Sequence, residues 1–176
     1  SERMCRHFTE DFGLETRVLR YHNVYGPEGT YDGGREKAPA AICRKIAQAK
    51  LTKNKFIDVW GDGNQTRSFM YIDDCIEGTK MVFNSEHRDV YNLGSDEQVS
   101  INQMINIIED IANYKVERNY QLDKPKGVRG RSSDNTKIFN DFNWSPSIKL
   151  HDGLKKTYDW IYNQIISGEN TKKFKK

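Results

Sequence analysis

The sequence predicts an α/β fold in which the closing strands of a parallel sheet lead into a smaller α/β unit, and three observations predict it. Short β-rich runs alternate with stretches of helical periodicity along most of the 176 residues. The run Thr16 to Tyr21 empties into the polar loop His22-Asn23-Val24-Tyr25-Gly26-Pro27, as the ligand-bearing carboxyl ends of strands do in open sheets. Trp60-Gly61-Asp62-Gly63 places a glycine turn between two short strands, and Asp73-Asp74 then opens a helix.

Taken in order, Met4, Cys5, Phe8 and Phe12 stand at helical spacing and Gly13 follows as a left-handed cap, which predicts a helix over 1–12. After the first strand and the glycine-bearing loop 28–34, a helix runs from Glu36 or Lys37 to Ala49. It turns Ala38, Ala41, Ile42, Ile46 and Ala49 inward, and Pro39 is tolerated only in its first turn. Phe56 to Trp60 and Arg67 to Ile72 read as strands, Asp73 to Phe83 as a helix with carboxylates at its positive end, and Val90 to Leu93 as a strand. Ser100 and Gln103 have capping-box spacing ahead of Met104, Ile105, Ile108 and Ile111 on one helical face. Lys124 to Asp134 reads as a basic glycine loop, Asn135 to Asn140 as a short helix, and Leu154 to Ile165 as an amphipathic helix that closes the fold. Trp60, Trp144 and Trp160 read as core anchors, and Cys43 and Cys75 as packing residues within helices.

With 28 Lys and Arg against 25 Asp and Glu, the formal charge of +3 is too small to point to nucleic acid, and the basic clusters lack interleaved aromatics. Three widely spaced cysteines, with no Cys-x-x-Cys, indicate neither a disulfide scaffold nor a zinc site and fit a reducing, cytoplasmic compartment. The four histidines show no metal-ligand spacing. No long apolar run suggests a membrane helix, and no charged, apolar, small-residue pattern reads as a secretion leader. The sequence opens without Met inside a helical pattern and reads as a piece of a longer protein, and 167–176 reads as a solvated basic tail.

Gln65 and Arg67, two apart in an extended segment, face one side, so an amide and a planar cation can grip one anion. The segment Trp60-Gly61-Asp62-Gly63 to Arg67-Ser68-Phe69 resembles the extended short-chain dehydrogenase/reductases that modify nucleotide sugars. The His22 to Pro27 block, Gly33-Gly34-Arg35-Glu36-Lys37-Ala38-Pro39 and Gly127-Val128-Arg129-Gly130-Arg131, in this order, are similar to the blocks of the GDP-mannose 3,5-epimerase family. The resemblance implies the C-terminal part of that α/β fold: the last Rossmann strands at 1–25 and 68–97, and a substrate-binding domain at 26–67 and 98–166. It further implies NAD, bound mainly by sequence upstream of Ser1, a GDP-sugar substrate and a homodimer. No Gly-x-Gly-x-x-Gly follows a strand, and no Tyr-x-x-x-Lys pair stands in a usable context, so no cofactor-binding residue is expected in this chain.

By the same resemblance Lys37 is one of the acid/base pair that inverts C3 and C5 of a 4-keto sugar, its partner a cysteine lying upstream. A lysine serves in that role when positive charge or desolvation lowers its ordinary pKa of about 10.4. The alternative is an exposed lysine at a helix start. Asn23, Glu36, Lys37, Ala38, Lys45, Gln65, Thr66, Arg67 and Arg131 are implied as the substrate site. Asn23 could equally be a turn residue and Lys45 a solvated one, and Arg129 reads as a surface arginine. A 4-epimerase, a 4,6-dehydratase and a non-catalytic nucleotide-sugar-binding piece are the competing functional readings.

Overall fold

The computed structural model describes residues 1–124 and 127–168; the tail from 169 onward lies outside the described residues. The chain forms α1 (Glu2–Phe12), β1 (Val18–Tyr21), β2 (Val24–Tyr25), α2 (Ala38–Thr52), β3 (Phe56–Trp60), β4 (Thr66–Ser68), β5 (Met70–Tyr71) and α3 (Ile72–Phe83). It continues through β6 (Val90–Leu93), β7 (Gln98–Ser100), α4 (Ile101–Ala112), β8 (Glu117–Gln121), β9 (Gly130–Arg131), α5 (Thr136–Phe142) and α6 (Leu150–Ser167). Strands pair in parallel as β1 with β6, β2 with β5 and β3 with β8, while β4 is central to a three-stranded sheet with β7 antiparallel and β9 parallel. This is the α/β architecture expected.

Two apolar cores organise these elements. The larger joins α2, α4 and α6 to β3 through residues such as Ile46, Ile57, Ile105, Ile108, Leu154 and Ile161. The smaller lies between the β1–β6 pair, α3 and α5 and contains Met70, Val82, Tyr91, Leu93, Ile138 and Trp144. Ile72, the first residue of α3, packs against both. Ile138 and Trp144 therefore join the core of the parallel pair.

Several local expectations hold. Gly13 caps α1 in the left-handed conformation, Pro39 occupies the first turn of α2, and Ser100 and Gln103 make both bonds of the capping box at 3.1 and 2.8 Å. Others are corrected. Strand 67–72 breaks at Phe69 into β4 and β5, and Ile72 already belongs to α3. Asp74 is buried and does more than meet the helix dipole: its carboxylate accepts the amides of Ser147 and Ile148 at 3.0 and 3.1 Å and the Ser147 hydroxyl at 2.9 Å, tying α3 to the approach of α6. α6 starts at Leu150, four residues early, because Leu150 and Gly153 are themselves buried against Tyr25 and Tyr71. β7, β8 and β9 carried no strand signal in the sequence, β9 falling within what reads as a loop.

Candidate functional site

β4 positions the charged centre of the site. Gly130 allows β9 to lie close, since a Cβ there would sit 3.0 Å from Thr66 Oγ1. The register then sets Thr66 opposite Gly130 and Arg67 opposite Arg131, so the two guanidinium side chains leave the same face of the small sheet. Like charges directly across a strand pair repel, and an anion between them removes the penalty. Arg67 Nη1 donates to the Thr66 carbonyl at 2.6 Å, and the Arg131 side chain makes no hydrogen bond or ion pair with a described residue. The Cβ position of Gly127 is 3.2 Å from Arg67 Nη2, so the glycine keeps the backbone of the loop close to that cation.

The carboxyl ends of β1 and β6 meet beside this pair. His22 N donates to the Leu93 carbonyl at 2.9 Å, extending the ladder, and a Cβ on Gly94 would strike both His22 and Ser133 at 2.6 Å. Burial first, and then the charge of Arg131, lower the His22 pKa, so the neutral imidazole is favoured; its Nδ1 is buried with no partner. Asn23 adopts a left-handed conformation (φ 43°) and its amide donates to the Ser68 carbonyl at 3.0 Å, while its own carbonyl accepts from Met70 N at 3.2 Å. The residue thus clasps the break between β4 and β5, a structural use of the side chain at the mouth of the site.

A cavity of about 410 Å³ opens between α2, β3 and α4. Of the expected residues it is lined by Glu36, Ala38, Lys45 and Gln65, with Ile42, Ile57 and Val59 among its apolar walls. Asn23, Lys37, Thr66, Arg67 and Arg131 are not among its lining. Glu36 is largely buried: one oxygen accepts from Gly34 N at 2.7 Å and the other pairs with Arg44 at 3.3 Å, which fixes the Gly33-Gly34 loop, whose φ angles are 98° and 84°. Lys37 is the N-cap residue of α2, exposed, and its ammonium makes no hydrogen bond or ion pair with a described residue. Lys45 Nζ donates to the Asp58 carbonyl at 2.6 Å, and burial, then the charge of Arg44, lower its pKa. Gln65 Nε2 donates to the Trp60 carbonyl at 3.2 Å, whereas Oε1 is buried without a partner. Gln65 and Arg67 are two residues of extended chain apart, about 7 Å, so the cavity and the arginine pair are adjacent stations along one strand.

Trp60 departs from the core role expected of it. β3 alternates, with Ile57 and Val59 buried, and Trp60 falls on the outer face, 56% exposed at the cavity wall. Trp144 is buried as expected and Trp160 is half-buried against Tyr31. Cys43 and Cys75 are buried, and burial raises both thiol pKa values, which suits packing rather than nucleophilic chemistry. Away from the site, His87, Asp89 and Asp141 present exposed ligand atoms within 4.8 Å of one another. Lys137 already pairs with both carboxylates there, at 3.1 and 3.2 Å.

A unit of parallel strand pairs flanked by helices, with its polar loops at the carboxyl ends of the strands, defines a class, the Rossmann-like α/β proteins. Within that class the chain belongs to the NAD dependent epimerase/dehydratase family, whose model matches residues 1–94. It is 50% identical over 165 residues to GDP-mannose 3,5-epimerase 1 of Oryza sativa subsp. indica, covering 94% of this chain and 42% of the rice protein. To the GDP-mannose 3,5-epimerase of Arabidopsis thaliana it is 47% identical over the same shares, so the chain spans less than half the length of these curated relatives. Among solved structures, UDP-glucose 4-epimerase of Thermotoga maritima with UDP-glucose superposes with a TM-score of 0.83 at 27% identity, over 93% of this chain and 51% of that one. UDP-glucuronic acid 4-epimerase of Bacillus cereus, in complex with UDP-glucuronic acid and NAD, gives 0.76 at 32% identity over 92% and 50%.

Proposed function

We propose that this chain is the substrate-binding part of a cytoplasmic, homodimeric GDP-mannose 3,5-epimerase, which converts GDP-D-mannose to GDP-L-galactose and GDP-L-gulose through a 4-keto intermediate. The observation that carries the reading is the registered pair Arg67 and Arg131, two guanidinium groups on one sheet face with a glycine backbone beside them, as a diphosphate requires. The likeness to two plant GDP-mannose 3,5-epimerases over 94% of the chain supports the choice of sugar. We assign the last Rossmann strands to 1–25 and 68–97 and the substrate-binding unit to 26–67 and 98–166.

The chain's own residues hold and orient the substrate in this scheme. Arg67 and Arg131 neutralise the diphosphate, with Thr66 beside them on β4. Gln65, Lys45, Glu36 and Ala38 border the cavity that takes the nucleoside, and Asn23 keeps the β4–β5 break in place below the sugar. Among the described residues no Gly-x-Gly-x-x-Gly follows a strand to cradle a dinucleotide; what they offer NAD is the buried, unpartnered Nδ1 of His22 at the ends of β1 and β6. NAD, when bound, supplies reversible hydride acceptance at C4. A C4 ketone makes the neighbouring C3 and C5 protons acidic, and Lys37, an ammonium without a partner among the described residues and one residue from two cavity-lining side chains, holds or moves the proton on one face.

The test is to incubate the enzyme containing this chain with GDP-mannose and NAD in deuterium oxide. Deuterium at C3 and C5 with inversion at both centres is expected, and Lys37→Met should suppress the exchange while leaving GDP affinity unchanged. Inversion at C4 alone, without exchange, would assign the chain to a 4-epimerase instead.

A further inference from the structure

We propose that Arg44 is a positioning residue: one guanidinium on α2 holds both ends of the glycine loop 31–36 and so fixes where Lys37 stands, a role that rests on the reading of Lys37 given above. Lys37 is exposed and follows a tract of high conformational freedom, in which Gly33 and Gly34 both take positive φ, 98° and 84°. A general acid or base acts only within hydrogen-bond reach of its proton. An arm built on two glycines needs an external brace to keep that reach.

Arg44 supplies it. Long side chains on a helix lean toward its N-terminus, which carries the guanidinium from the second turn of α2 back to the loop. Nε donates to the Tyr31 carbonyl at 2.8 Å and Nη2 to Glu36 Oε1 at 3.3 Å, while Nη1 donates to Gln48 Oε1 at 3.1 Å one turn further along the helix. Asp32 Oδ1 lies 3.7 Å from Nε. Glu36 Oε2 in turn accepts from Gly34 N at 2.7 Å, so the brace passes through the carboxylate into the glycine backbone. At the other end Tyr31 is buried and meets Trp160 of α6 edge-on. Between these two anchors residues 32–35 are exposed, and Lys37 follows Glu36 directly. The foot of the brace is firm, because α2 buries Ile42, Cys43, Ile46 and Ala47. Arg44 also borders the cavity, yet each of its three nitrogens already donates within the chain. A planar fork that meets a carbonyl and a carboxylate together is a geometry that a lysine ammonium does not reproduce. Partly exposed ion pairs add little to global stability, so the effect of this one falls on placement.

The test uses the enzyme containing this chain, with GDP-mannose and NAD in deuterium oxide. In Arg44→Met, kcat and deuterium uptake at C3 and C5 should fall about 10- to 100-fold, the loss that a misplacement of about 1 Å brings, while KM and GDP affinity stay within about threefold of the parent. Trypsin should nick after Arg35 about fivefold faster or more, as the loop opens locally. Arg44→Lys, which keeps the charge and reaches one of the two anchors, should fall between parent and Arg44→Met in both readouts. Added to Lys37→Met, Arg44→Met should lower the residual exchange by less than about twofold, since both act on one proton transfer. An unchanged kcat or unchanged nicking in Arg44→Met, full additivity with Lys37→Met, or GDP affinity lost in step with kcat would overturn the inference and leave the reading of Lys37 in place. Exchange that survives Lys37→Met would remove that reading and this inference with it.

Discussion

Replacing Arg131 by alanine isolates the diphosphate grip, because the guanidinium is exposed, pairs with no described side chain and stands on a two-residue strand. A hydrogen bond to a charged partner contributes about 1.5–3 kcal/mol, and exposure places Arg131 at the lower end. The variant should therefore bind GDP about tenfold more weakly. The same substitution removes a like-charge neighbour from Arg67 in the ligand-free chain, so the free protein should melt no lower than the parent, while the stabilisation conferred by saturating GDP shrinks. Isothermal titration at 50 and 300 mM salt gives a second readout: one cation fewer should flatten the loss of affinity with ionic strength. In the double variant with Arg67→Ala the combined loss should depart from the product of the single losses, since both groups hold one ligand. A GDP dissociation constant within twofold of the parent, with the same salt dependence, would refute a shared anion site at Arg67 and Arg131.

Three further perturbations address the scaffold. In Gly153→Ala the added Cβ would lie 2.2 Å from the Tyr25 hydroxyl and 2.8 Å from Tyr71, forcing α6 outward and straining the Tyr25 bond to the Leu150 carbonyl; a cost of about 1–3 kcal/mol is expected by urea unfolding. Asp74→Ala strips three donors of Ser147 and Ile148 of their acceptor in a buried corner and should cost about 2–4 kcal/mol in the same assay, with Asp74→Asn recovering part of it. Because the His22 pKa is lowered in the folded chain, the unfolded chain binds the proton more readily below its ordinary value near 6.5. The contribution is intact above that pH and is lost as pH falls through the lower folded value, so melting temperature measured from pH 7.5 to 5 should decline less steeply for His22→Phe than for the parent.

The helices were legible because their signals are local. Gly13, Pro39 and the Ser100–Gln103 box state where α1, α2 and α4 begin or end without reference to the rest of the chain. The strands β7, β8 and β9 were not, since Gln98–Ser100, Glu117–Gln121 and Gly130–Arg131 are short, polar and mostly outward-facing. Only pairing with β3 and β4, residues far away in sequence, makes strands of them. The same non-locality hid the site's geometry. Spacing alone set Gln65 and Arg67 on one side, but nothing in the sequence announced that Arg131 would fall opposite Arg67, or that the alternation of β3 would turn Trp60 outward. Residues of the same type differed by context: Trp144 fills the smaller core, and Glu36 and Asn23, chosen for ligand contact, also fasten their own loops.

The brevity of β9 has a consequence for order. A strand of two residues contributes little cohesion of its own, and β9 rests on β4 alone in its sheet. An anion bridging Arg67 and Arg131 would act as a clip across that seam, and its binding energy would appear equally as resistance of the segment to opening. Protease nicking between Gly127 and Ser133 should slow in step with occupancy, which makes the fastening of this edge a gauge of the ligand itself.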